Sequence, residues 1–193
     1  MPQKVITTYL ELTENDIFRP SEGFLQKIGV REVANDAYIN FILFAGIGLP
    51  WRWYSRLGWT TGEWEKYFAG NKIGTFLCFH GKNLVGYYEL DLTAGSSAEI
   101  KFMGLFPRYM GSGLGGMVLS HAVNSAREKG AGRVWLHTCT NDAEAALGNY
   151  LARGFRIYKE EEGVEEIPGK QELVEGVSRF IESYIESYGE GLK

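Results

Sequence analysis

Pro107-Arg108-Tyr109-Met110-Gly111-Ser112-Gly113-Leu114-Gly115-Gly116 is the most constrained run in the chain. An apolar, strand-like segment, Ala98 to Phe106, leads into it. A segment whose apolar residues Leu114, Met117, Val118, Val123 and Ala126 recur at helical spacing follows it. Glycine inside a helix costs about 1 kcal/mol relative to alanine, so four glycines in the six positions 111–116 call for a reason. A strand entering a glycine turn that opens a helix exposes bare backbone N–H groups at the positive end of the helix dipole, where a phosphate is stabilised. The plainer alternative is a loose turn in a glycine-rich protein, since 25 of the 193 residues are glycine.

Gly111-x-Gly113-x-x-Gly116 also spells the dinucleotide fingerprint. That motif normally sits on the first strand of a βαβαβ unit and is followed about 20 residues later by an acid. Here about a hundred residues precede it, and Asp142, the next acid suited to that role, lies 26 residues past Gly116. A dinucleotide-binding oxidoreductase therefore stands as an alternative. A P-loop is excluded, because no Gly-Lys-Ser/Thr follows the glycines.

The flanks add specificity. Leu-x-Pro-x-Tyr-x-Gly-x-Gly-x-Gly from Leu105 to Gly115, a strand from Arg133 to Thr140, and Tyr150-x-x-x-Gly154-Phe155 together resemble the GNAT superfamily of acetyl-CoA-dependent N-acetyltransferases. The resemblance covers roughly residues 75 to 160 and looks like a bacterial subgroup. It departs from the family pattern at Met110, where Gln or Arg is usual, and in a longer spacing from Asn141 to Tyr150. It implies a mixed, mostly antiparallel α/β sheet flanked by helices, with acetyl-CoA as co-substrate and a primary amine of a small molecule or protein as acceptor. A CoA-binding sensor or scaffold without turnover is the second alternative.

The resemblance assigns roles residue by residue. Met103 and Leu105 would pair their backbone with the pantetheine arm. Met110, Gly111, Ser112, Gly113, Leu114, Gly115 and Gly116 would hold the pyrophosphate, Met110 through its backbone N–H, and Asn141 would assist. Tyr150 matches the acid that protonates the departing thiolate, a task suited to a phenol with an ordinary pKa of about 10. Glu99 and Glu89 are the candidate carboxylates for the amine proton. His137 is weighed as a base against a satisfied core histidine, while His80 and His121 read as turn and helix-surface residues.

Composition bounds the rest. A chain that is 45% hydrophobic and 14% aromatic builds a sizeable core, most simply in one domain. A net charge of −4 gives a nucleic-acid surface no support. Cys78 and Cys139 fall in strand-like segments without metal-ligand spacing, and the histidines add none. They read as reduced core thiols of a cytoplasmic protein with no metal site. No signal-peptide pattern and no run approaching about 18 apolar residues is evident, so no membrane span is expected.

Along the chain, Val5 to Leu12 alternates as a first strand, and Phe18 to Gly29 reads as irregular. A helix from Asp36 to Phe44 is expected to stop at Gly46-Ile47-Gly48-Leu49-Pro50, and a short one follows from Glu63 to Phe68. Four of the five tryptophans lie between positions 51 and 64. Trp51, Trp53 and Tyr54 are candidates to stack on an acceptor or hold an ammonium by cation–π contact. The alternative is that they staple the helices to the sheet, and Arg52 and Arg56 in the same stretch could equally bind a carboxylate on the acceptor or cap a helix.

Residues 73 to 106 read as three strands joined by tight turns, hence antiparallel. Arg133 to Cys139 is apolar enough on both faces to be central. Asn141-Asp142 is expected to cap a helix ending at Gly154, and Phe155 to Lys159 to close the sheet. Glu160 to Gly169 reads as an acidic connection to an amphipathic helix, whose apolar face docks on this chain or on a second copy in a homodimer. Residues 1–72 would form the acceptor side, 73–160 the acetyl-CoA core, and 161–193 the acidic connection and added helix.

Overall fold

Tight turns join three neighbouring strands, β3 (Ile73–His80), β4 (Asn83–Asp91) and β5 (Ser97–Leu105), which pair antiparallel. In the computed structural model, which describes residues 2–189, they form the middle of a seven-stranded sheet. Its order is β2-β3-β4-β5-β6-β1-β7, with β1 (Pro2–Thr13), β2 (Gly29–Val33), β6 (Arg133–Cys139) and β7 (Arg156–Glu166). Only β5 and β6 run parallel among the described pairs. Parallel neighbours need a crossover, and the helix α4 (Leu114–Glu128) supplies it.

Helices cover both faces. On one side α4 and α5 (Ala145–Ala152) pack with Leu10, Leu12, Tyr88, Leu90, Ile100 and Leu136. The short α1 (Phe24–Lys27) rests on α4, where His121 Nε2 lies 2.9 and 3.0 Å from the carbonyls of Phe24 and Ile28. On the other side lie α2 (Ala37–Gly48), α3 (Thr61–Gly70) and α6 (Lys170–Gly189). Phe180 of α6 is fully buried and stacks on Phe41 of α2 at 3.8 Å, a burial that contributes about 1.5–3 kcal/mol. The C-terminal helix therefore docks on its own chain. No helix among the described residues is long and apolar enough to cross a membrane.

The structure departs from the sequence expectations at definable places. The stretch read as irregular contains α1 and the edge strand β2. The helix expected to stop at Gly46 runs through it to Gly48, and Leu49–Trp51 add a 3-10 turn in which Pro50, lacking an N–H, is tolerated. The strand expected to end at Lys159 continues to Glu166, because β1 starts at Pro2 and pairs with it throughout, Pro2 opposite Glu166. All eleven β7 residues are exposed, and its glutamates guard a free sheet edge. His121 is buried rather than on a helix surface. Gly154 is required at its turn: its φ is +99°, and a Cβ there would lie 2.2 Å from the Ile17 carbonyl oxygen.

Candidate functional site

The parallel ladder between β5 and β6 holds for only three pairs, Ser97–Arg133, Ala98–Val134 and Glu99–Trp135. Both strands run on beyond it, β5 to Leu105 and β6 to Cys139. The opened backbones line a cleft of about 1390 Å³, whose walls include Ile100 to Leu105 on one side and Leu136, His137 and Cys139 on the other. The lining also includes the glycine turn that begins α4, and Trp51, Trp53, Tyr54, Glu165 and Glu172.

The turn has the geometry of an anion cradle. Gly111 and Gly113 adopt φ of +73° and +79°, which side-chain-bearing residues rarely enter, and nothing stands within 4 Å of where a Cβ would be. No side chain caps the helix at Gly113, and the first four N–H groups of a helix have no partner within it. Arg153, at the end of α5, puts its Nη1 2.9 Å from where a Gly116 Cβ would sit, and its Nε is buried without a hydrogen-bond partner. A cation set against the positive end of a helix is unfavourable unless an anion lies between them. The bare N–H groups and the orphaned Nε therefore fit a phosphate.

Most sequence-derived candidates meet in this cleft. Met103, Leu105, Met110, Gly111, Gly113, Gly115, Gly116, Asn141, Tyr150, Trp51, Trp53 and Tyr54 line it. Ser112 and Leu114 do not: Ser112 turns its hydroxyl back to donate to the Tyr109 carbonyl, and Leu114 is buried in the core beneath the turn. The Met110 N–H, expected to act as a donor, is taken by the Pro107 carbonyl at 3.1 Å, so the available donors begin after it. Asn141 does not cap α5. Its Oδ1 accepts from Arg52 Nη1 at 2.9 Å and its Nδ2 donates to Glu165 Oε2 at 2.8 Å, linking two other residues that line the cleft. Asp142 instead accepts from the Thr138 hydroxyl and the Cys139 N–H. Cys139, expected in the core, faces the cleft, whereas Cys78 is buried.

Tyr150 is a buried side chain with its edge on the cleft. Burial, reinforced by the charge of Asp142, pushes its phenol well above the ordinary value. It keeps its proton, the state from which an acid must start.

The two candidate carboxylates have different surroundings. Glu89, on β4, does not line the cleft. It is fully buried and accepts from Arg56 Nη1 at 2.8 and 3.2 Å, from Tyr67 Oη at 3.2 Å and from Asn40 Nδ2 at 3.4 Å. Every side around it is occupied by a structural partner. Glu99 sits where β5 and β6 part, its Oε2 2.8 Å from Lys101 Nζ and its Oε1 3.4 Å from His137 Nδ1. Burial opposes its ionisation, and hydrogen bonding from His137 and Lys101 outweighs that, leaving the carboxyl below its usual range.

The tryptophan cluster divides. Trp59 and Trp64 belong to the core around Arg56, whose guanidinium carbon lies 4.9 and 5.2 Å from their ring centres and 4.0 Å from that of Tyr67. Trp53 packs on Phe44 and Phe102 and also lines the cleft, with Trp51 and Tyr54 beside it. Arg52, which the sequence offers as a carboxylate binder or a helix cap, lines the cleft in a left-handed conformation at φ 61°, whereas sequence reasoning missed Arg153, Glu165 and Glu172, which line it too. Those three carried no signal in the sequence.

A family model described as Acetyltransferase (GNAT) family matches residues 34–155. No curated protein matches the chain. Solved structures share its fold. A GCN5-related N-acetyltransferase from Kribbella flavida aligns at 17% identity and a TM-score of 0.58, covering 88% of this chain and 61% of its own. An IAA acetyltransferase from Bacillus cereus aligns at 21% identity and a TM-score of 0.52, covering 68% of this chain and 79% of its own. A GNAT family acetyltransferase from Elizabethkingia anophelis, solved with acetyl-CoA bound, aligns at 18% identity and a TM-score of 0.50, covering 69% of this chain and 79% of its own. Several such structures are longer proteins, of which this chain spans less than two thirds.

Proposed function

This chain belongs to the GNAT acetyltransferase family, and on that premise we propose that it transfers the acetyl group of acetyl-CoA to a primary amine by direct attack in a ternary complex. The observation that carries this reading is the cleft between the parted strands, lined by a glycine turn and by an arginine with an orphaned nitrogen. A doubly wound dinucleotide fold needs successive parallel strands, and here only β5 and β6 are parallel among the described pairs. Acetyl-CoA brings an activated thioester, so no covalent enzyme intermediate is needed, and orientation alone reaches effective molarities of roughly 10⁵–10⁸ M in well-aligned systems.

The N–H groups that follow Met110, with Arg153, hold the pyrophosphate. The backbone at Met103 to Leu105 aligns the pantetheine arm. Tyr150 donates a proton to the departing sulfur, and the amine proton leaves toward the cluster of Glu99, Lys101 and His137. Trp51, Trp53 and Tyr54 wall the acceptor. In this account residues 1–72 form the acceptor side, 73–160 the cofactor side, and residues beyond 160 complete the acceptor end through Glu165 and Glu172.

Purified protein mixed with acetyl-CoA and a panel of primary amines should release free thiol. Binding of acetyl-CoA without release across the panel would support a CoA-binding sensor instead. Arg153→Met should raise the Kd for acetyl-CoA by about 10- to 100-fold, since hydrogen bonds to charged groups contribute about 1.5–3 kcal/mol. Calorimetry checks it, and an unchanged Kd would remove Arg153 from the phosphate site.

A further inference from the structure

Two side chains at the point where the strands part are arranged for proton transfer, and the burial of each suggests a division of labour. The Glu99 side chain is 7% exposed, does not line the cleft, and has one oxygen on Lys101 and the other facing His137. The His137 side chain is 43% exposed and lines the cleft. It lies two residues beyond the last β5–β6 pair, at the start of the opening. Tyr9, directly opposite on β1, packs against the imidazole with ring centres 5.8 Å apart and holds it from the other side.

A carboxylate facing Nδ1 favours the tautomer with the proton on that nitrogen, which leaves Nε2 a lone pair. The distance of 3.4 Å is long for a hydrogen bond, as catalytic contacts often are before substrate binds. Other charged or titratable groups stand around the ring: Lys101 on β5, Tyr9 on β1, Lys159 and Glu161 on β7 behind Tyr9, and Cys139 on its own strand. Among the described residues, Glu99 is the carboxylate recorded at ion-pair distance from His137.

Resting on the acetyltransferase reading, we infer that His137 is the base that accepts the amine proton and that Glu99 is a positioning residue acting through it. The amine nitrogen forms the C–N bond to the acetyl carbon, and the C–S bond breaks with its electron pair on sulfur. One nitrogen-bound proton passes to His137 Nε2, and Tyr150 supplies a proton to the thiolate. The step consumes no oxidant or reductant.

The test is kcat/KM against pH for the wild type, His137→Gln, Glu99→Gln and Glu99→Asp, with acetyl-CoA affinity measured in each to verify an intact cofactor site. The acidic limb of such a profile reports protonation of the essential base. His137→Gln should lower kcat/KM by about 100-fold and abolish that limb. Glu99→Gln should keep the limb but move it to lower pH, because losing the neighbouring negative charge disfavours the imidazolium. Its loss should be about 10-fold, as for partners that act through another group, and Glu99→Asp should bring the limb back. Loss of the limb in Glu99→Gln with its retention in His137→Gln would overturn the inference and make Glu99 the base. An active wild type with both variants unimpaired would overturn it as well. A wild type that releases no thiol would instead overturn the acetyltransferase reading on which it rests.

Discussion

Tyr150→Phe should lower kcat by about 10²- to 10⁴-fold, the range for removing a positioned acid, while the Kd for acetyl-CoA stays where it is. The phenol sits at the cleft edge with its proton held by burial and by the nearby Asp142 charge. Its loss leaves the thiolate to depart unprotonated, so the effect falls on the chemical step and not on binding. The substitution removes one oxygen and keeps the ring, whose packing in the core with Phe155 survives. Steady-state kinetics with calorimetry separates the two quantities. A kcat within about threefold of wild type would mean that another proton donor, or none, serves the leaving sulfur.

Arg56→Met should destabilise the protein by about 3–5 kcal/mol, because it leaves a buried carboxylate without its counter-charge. Arg56 and Glu89 have side chains 4% and 0% exposed. Burial opposes the charge on Arg56, and Glu89 outweighs it, so the guanidinium stays ionised. Four aromatic rings, of Trp59, Trp64, Tyr67 and Phe102, enclose the guanidinium. The pair ties the loop that carries Trp51, Trp53 and Tyr54 to the middle of β4, so the same variant should raise KM for the acceptor. Adding Glu89→Leu should restore much of the stability, since an apolar pair replaces a buried ion pair at little cost. Chemical denaturation of the two single variants and the double variant measures this. A loss under about 1 kcal/mol in Arg56→Met would show that Glu89 does not depend on it.

The half of the cleft proposed to hold acetyl-CoA has constraints that are local and therefore visible in the sequence. A glycine turn between a strand and a helix, tight hairpins at 81–82 and 92–96, and Tyr150 at fixed spacing before Gly154 each leave a mark in the sequence. The half proposed for the acceptor is built from long-range contacts that leave none. β7 could not be read past Lys159, because a strand exposed on both faces shows no alternation, and its glutamates resemble a solvated linker. Arg56 read as a carboxylate binder or helix cap and Glu89 as a candidate base, and only the fold brings them together as a buried pair. The aromatic cluster was visible as a group. Its division into core and cleft follows from α2 running on to Gly48, where Trp53 folds over the missing Cβ.

The most direct measurement is calorimetric titration of acetyl-CoA into wild-type protein and Gly113→Val. Residue 113 sits at φ +79°, where a β-branched side chain costs about 1–3 kcal/mol; leaving that conformation turns the N–H groups at the start of α4 away from the phosphate. The account predicts micromolar binding by the wild type and a loss of about 10- to 100-fold in the variant. Absence of binding by the wild type, or equal binding by both, would contradict it.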